Sequence, residues 1–169
     1  MVCFEITGYL PSIIKPVLMG LLITQRLQQL YETIPPLLLA LPEEAASTKP
    51  HPAKWSKKEI LGHLLDSAVN NHTRLIRIQI AAQPLVIEPY AQDDWVRLHQ
   101  YRQWSLEELV GCWKSHQYQI IRLMEVASSE SLARLCDIGE GELKTMQWLY
   151  LDYVDHLEHH LHQLVEYDF

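Results

Sequence analysis

The sequence predicts an all-α protein, a four-helix bundle with a long connection between its second and third helices. Three observations carry that expectation. Apolar residues recur at helical spacing in four stretches of roughly 20 residues or more. No stretch alternates apolar and polar side chains as a half-buried strand would. The second and third stretches open with the same Trp-Ser-x-x-Glu sequence, the signature of a capped helix N-terminus.

The first helix is expected from about Pro16 to Thr33, with Leu18, Leu21, Leu22, Leu27, Leu30 and Tyr31 on its apolar side. Pro35-Pro36 should break or kink it, because proline has no N–H to donate and crowds the preceding turn. A loop rich in Pro, Ser and Thr follows from Pro42 to Lys54. Residues 1–15 are read as an apolar arm lying on the surface or against a neighbouring subunit, and residues 16–169 as the bundle domain. The arm has no basic start and is interrupted by Glu5, Pro11 and Lys15, so neither a signal peptide nor a membrane span is expected.

In the second helix, expected from Ser56 to Ala82, Ser56 is the N-cap, Glu59 its reciprocal partner, and Trp55 with Ile60 a hydrophobic staple. Trp104, Ser105, Glu108 and Leu109 repeat the device for the third helix, expected to run to Val126. Between them, Gln83 to Gln103 is longer than the usual connection, is broken by Pro84 and Pro89, and carries Glu88, Tyr90, Asp93, Asp94, Trp95 and His99. Such a segment suits either a cover over a site or aromatic packing across the bundle end. A shorter loop from Ser128 to Glu142 leads to the last helix, taken over 143–166, whose core face is Leu143, Met146, Tyr150, Val154, Leu157, Leu161 and Leu164.

That last helix holds His156, His159, His160 and His162, four of the nine histidines. At 3.6 residues per turn, His156 and His160 stand one above the other on the flank of the core face, while His159 and His162 face solvent. An i, i+4 histidine pair on a polar helix is commonly a surface feature. The second helix adds His63 on a stripe with Ser67, Asn70, Asn71 and Arg74, with Ser67 and Asn71 near the middle of the apolar face. Buried polar groups there need partners, which a wet pocket beside the histidines would supply. Three neutral imidazoles converging with open positions make a catalytic rather than a structural type of metal site.

The formal charge is −7, and the 14 basic residues are scattered, which argues against nucleic acid as a partner. Cys3, Cys112 and Cys136 form no CxxC pair, so a reduced, cytoplasmic protein without disulfides is expected. Cys112 is read as a buried thiol among Val110, Trp113 and Ile120.

Trp55-Ser-x-x-Glu59-Ile-Leu-Gly-His63-Leu-x-Asp66-Ser67 and Asp155-His156-x-x-x-His160-x-x-Gln163 resemble the DinB-like superfamily, particularly its YfiT-like metal-dependent hydrolase branch, over roughly residues 17 to 166. The resemblance implies a four-helix bundle, often a homodimer, with one divalent ion, nickel or zinc, on His63, His156 and His160. It also implies a metal-dependent hydrolase or a thiol (S-)transferase acting on a small molecule, with a low-molecular-weight thiol such as bacillithiol or mycothiol as a partner. The alternative is a non-catalytic metal-binding or stress-response module. For such chemistry the sequence offers Ser67, Asn70, Asn71, Arg74, Tyr90 and Asp93 as substrate contacts, Asp152 to orient His156, and Asp66, Glu88, Asp93, Asp94 or Asp152 as a proton carrier. Interhelical hydrogen bonds and a salt bridge are the competing use of Asn70, Asn71 and Arg74.

Overall fold

The computed structural model describes residues 14–169, with side chains from Leu18 onward. Four long helices form the bundle: α1 (Ile14–Leu39), α3 (Lys57–Ile80), α5 (Leu106–Glu125) and α7 (Met146–Leu161). The connections carry short elements: α2 (Glu43–Ser47), β1 (Leu85–Val86), α4 (Gln92–His99), a 3₁₀ turn (Tyr101–Gln103), α6 (Ser129–Leu132), β2 (Leu135–Asp137) and β3 (Leu143–Thr145).

Both capping boxes are present. Ser56 Oγ accepts from the Glu59 amide at 3.3 Å and the Glu59 carboxylate accepts from the Ser56 amide at 2.7 Å. At α5 the corresponding distances are 3.1 and 2.8 Å for Ser105 and Glu108. Each box satisfies two amides that have no partner inside the helix. These caps fix where α3 begins, and therefore how many turns separate its end from His63.

Direction follows from contacts at the helix ends. Glu43 pairs with Lys58 at the start of α3 and accepts from the Leu106 amide, 2.7 Å away, at the start of α5. The two N-termini thus meet, and α3 and α5 run parallel, side by side. Lys57 Nζ donates to the Leu164 carbonyl beyond the end of α7 at 2.6 Å, so α7 is antiparallel to α3. Around the bundle α1 packs on α5 and α7, and α3 packs on the same two helices. Arg26 of α1 ties onto Asp155 at 2.7 Å and onto Glu158 of α7. The 83–103 connection is what a parallel neighbour needs, since the chain must travel back along the bundle before α5 starts.

Three expectations are corrected. Pro35 and Pro36 lie inside α1, which continues to Leu39. Ile34 and Leu38 on either side are fully buried, and packing of that last turn outweighs the roughly 3 kcal/mol a mid-helix proline costs. Strands do exist: β1 pairs parallel with β2, which pairs antiparallel with β3. At two or three residues each, they are too short for alternation to register. One consequence is that Leu143, expected on the core face of the last helix, is an exposed strand residue. Cys112 is exposed, not buried, because the inward face of α5 is Leu109, Val110, Trp113 and Gln117. The expected arm falls outside the described residues as far as residue 13.

Candidate metal centre

Antiparallel packing of α7 on α3 sets the C-terminal half of one helix against the N-terminal half of the other. There His63, on the second turn of α3, meets His156 and His160 of α7. A ligand atom from each lies within 4.8 Å of the others. His63 Nε2 is 3.2 Å from His156 Nε2. The three rings stand nearly edge to face, with interplanar angles of 78°, 74° and 72° and centroids 5.1, 5.0 and 4.7 Å apart. His63 is 1% exposed. Trp55, expected only as a staple, covers its ring at 5.0 Å.

All three imidazoles are held neutral. Burial, then His156 and His160, lower His63 to about 3. Burial, then His160 and His159, lower His156 to about 4. Burial and then His159 lower His160. Neutral nitrogen is the form that ligates a metal. Nδ1 of His63 and Nδ1 of His160 are buried without a hydrogen-bond partner, and two neutral rings at 3.2 Å share at most one proton. The donor set therefore fits a divalent cation, which three imidazoles leave with its full charge and with further positions open. His159 and His162 are exposed; His159 meets Gln163 at 3.1 Å and His162 stacks on Tyr167 at 4.2 Å.

The other sequence candidates fall into three groups. Ser67 and Asn71 are buried but serve each other: Asn71 Nδ2 donates to the Ser67 carbonyl at 3.0 Å and reaches its hydroxyl at 3.3 Å. The polar residues that suggested a wet pocket are thus satisfied within α3. Asn70 donates to the Asp66 carbonyl at 2.8 Å. Further along α3, Arg74 donates to the Glu88 carbonyl at 2.9 Å and lies in the field of Tyr90 and Asp152. Burial pushes the Arg74 guanidinium down. The Tyr90 phenol is pushed up to about 12 by burial and then by Asp66. Asp152 is exposed, and its carboxyl is raised by desolvation, then by Asp155 and Glu140.

Asp93, by contrast, lines a cavity of about 960 Å³ together with Lys54, Trp55, Lys57 and Gln163; none of the three histidines lines it, and Trp55 is the wall residue that also covers the His63 ring. Most of that wall comes from α2 and the loop after it, so the segment before α3 shapes the cavity more than the 83–103 connection does. Asp94 is engaged by Arg97 at 2.8 Å. Asp66 is buried nearly one turn along α3 from His63, where Tyr101 donates to its Oδ1 at 2.6 Å.

Residues 26–164 match the family model described as the DinB superfamily. The chain belongs to the DinB superfamily. Among solved structures, this DinB chain is similar to YfiT from Bacillus subtilis, described as a probable metal-dependent hydrolase with an unusual four-helix bundle topology. The match has 17% identity, a TM-score of 0.65, and covers 93% of this chain and 87% of that one. It is also similar to a mycothiol-dependent maleylpyruvate isomerase, at 10% identity and a TM-score of 0.65, covering 92% of this chain. A mutant of that isomerase gives 9% identity, a TM-score of 0.66 and 94% coverage of this chain. The DinB chain spans 61% of the isomerase. At these identities the likeness is one of fold. No curated protein matches the sequence, and among the described residues no helix is long and apolar enough to cross a membrane.

Proposed function

We propose that His63, His156 and His160 hold one divalent ion, nickel or zinc, and that the protein is a metal-dependent enzyme that hydrolyses a small molecule or transfers a low-molecular-weight thiol to it. The observation that carries this reading is the convergence of three neutral imidazoles, two of them with a buried, unpartnered nitrogen. When bound, the ion supplies Lewis-acid chemistry, lowering the pKa of a water or thiol towards neutrality.

The chain's own residues do the rest. Trp55 shields the His63 side from solvent and forms a wall of the adjoining cavity. Lys54 and Lys57 on that wall favour a substrate carrying a negative group. Asp93 is the one sequence-proposed proton carrier that lines this cavity, and we assign it to take up and return the proton. Arg74, Asn70, Ser67 and Asn71 are too engaged locally to be first choices for substrate contact. The isomerase neighbour, named for its dependence on mycothiol, supports a thiol co-substrate. Exposed Met19, Leu21 and Leu22 on α1 support a homodimer, and an enzyme using a free thiol suits the cytoplasm.

Elemental analysis of the purified protein and of alanine variants at His63, His156, His159, His160 and His162 tests the ligand set. About one ion per chain is expected, lost on changing the first, second or fourth of these and kept on changing His159 or His162. A loaded protein that turns over neither esters, amides nor thiol-acceptor pairs would favour a binding or stress-response module.

A further inference from the structure

A second cavity, of about 240 Å³, lies between α3, α4 and α5 and includes none of the three histidines of the metal centre in its lining. Its walls include Trp95, Tyr101 and Trp104, with Asp66, Cys112 and His116. It adjoins a pocket of about 570 Å³ that shares His99, Trp104 and Cys112 with it and adds Glu108. Among the described residues neither lining contains a lysine or an arginine. The two spaces thus form a route that carries carboxylates and no fixed positive charge.

Asp66 is 3% exposed. Its Oδ1 accepts from the Tyr101 hydroxyl, while Oδ2 is buried and has no partner. The closest positive candidate is His99, whose Nδ1 is 3.5 Å from Asp66 Oδ1, the oxygen that Tyr101 already serves, and nearer, at 3.1 Å, to the Trp95 carbonyl. Nδ1 of His116, on another wall, is also buried and unpartnered. An ionised carboxylate only accepts, whereas a neutral imidazole offers one donor and one acceptor nitrogen, so Asp66 Oδ2 is the acceptor here that lacks a donor. Aromatic faces attract a cation rather than an anion. Here Tyr101 stacks on His99 at 4.9 Å and meets Trp104 edge-on at 5.4 Å.

We propose that this cavity binds a small protonated amine, with its N–H groups donating to Asp66 and its carbon skeleton against Trp95, Tyr101 and Trp104. N–H donors are needed to satisfy Asp66 Oδ2, so a primary or secondary ammonium fits better than a quaternary one. At about 30 Å³ per water-sized group, 240 Å³ limits the ligand to about eight non-hydrogen atoms. The inference goes beyond the metal-centre reading and does not depend on it.

The test is a titration of the full chain with butylammonium chloride, followed by tryptophan fluorescence at constant ionic strength, with 1-butanol, butyrate and tetramethylammonium as comparisons. Saturable binding of butylammonium alone is expected. Asp66→Asn keeps an oxygen acceptor for Tyr101 and should weaken binding roughly tenfold or more. Val69→Phe fills the cavity from α3 and should abolish binding while Asp66 stays in place. Equal affinity for butanol, or binding unchanged in Asp66→Asn, would overturn the ionic contact. Equal affinity for tetramethylammonium would overturn the N–H donation, and the absence of saturable binding would overturn the site. None of these readouts changes if His63→Ala removes the metal.

Discussion

Gly62 precedes the first histidine of the metal centre, and its lack of a side chain seats Tyr101 on α3. A Cβ built there would lie 2.0, 2.2 and 2.5 Å from three atoms of the Tyr101 ring, far inside contact distance. Gly62→Ala must therefore expel the ring. The loss has two parts. Tyr101 is 3% exposed, and forcing a group into a filled site costs about 1–3 kcal/mol. Its 2.6 Å hydrogen bond to Asp66 is worth about 1.5–3 kcal/mol if the carboxylate is charged. We expect a destabilisation of about 3–5 kcal/mol from these two sources, read as a lower urea midpoint at unchanged m-value. The decisive measurement is the same substitution in a Tyr101→Ala background. All three nearest atoms belong to Tyr101, so there the alanine meets no ring, and helix propensity should make it stabilising by up to about 1 kcal/mol. The effect of Gly62→Ala should change sign between the two backgrounds. If it destabilises both equally, the glycine serves some other contact and the reasoning fails.

Ser56→Ala and Ser105→Ala should each cost about 1 kcal/mol through loss of a capped amide, measured by denaturation, with metal content unchanged. Tyr153→Phe removes the donor that gives Gln117 Oε1 its 2.6 Å hydrogen bond, in a site where Gln117 Nε2 is already unpartnered. A loss of about 1–3 kcal/mol is expected, and a neutral result would show that the pair contributes nothing. In metal-free protein, His63 and His156 titrate near 3 and 4 when folded and near 6.5 when unfolded. The unfolded chain therefore binds more protons below pH 6.5, so stability should fall as pH drops from 6.5 towards 4. His63→Gln should flatten that slope in pH-dependent melting, and an unchanged slope would assign it to other groups.

Local signals in the sequence translated well. Serine caps with glutamate three residues on placed the starts of α3 and α5, because those bonds close within one turn. Helical phase placed His159 and His162 in solvent for the same reason. What failed depended on distant partners. Pro35 and Pro36 read as a break or kink because proline's cost is local, and the break is absent because the burial of Leu38 that outweighs that cost is tertiary. Two-residue and three-residue strands leave no period to read. Ser67 and Asn71 looked like an unsatisfied pair at the middle of an apolar face, yet the spacing that put them there also let them bond to each other. The Asp66–Tyr101 contact spans 35 residues, and only the glycine before His63 hinted that something had to approach α3 closely.

The bundle's topology explains why that glycine and the histidine beside it serve different neighbours. α3 has α5 running parallel on one side and α7 antiparallel on the other. The connection needed to start a parallel neighbour at the same end carries α4 and Tyr101 back across α3. Within five residues, α3 therefore presents His63 towards α7, and Gly62 and Asp66 towards that returning segment. An up-and-down bundle with a short turn after α3 would have no returning segment, and Asp66 would have neither its tyrosine nor an aromatic cavity. One helix thus carries both sites, each with its own neighbours. A substitution that frees Tyr101 should consequently disturb the cavity at Asp66 first, and reach the metal centre only if it shifts the backbone at His63. Comparing butylammonium affinity with metal content in Gly62→Ala separates those outcomes: lost amine binding with metal retained is expected, and equal loss of both would mean that the two sites are not independent.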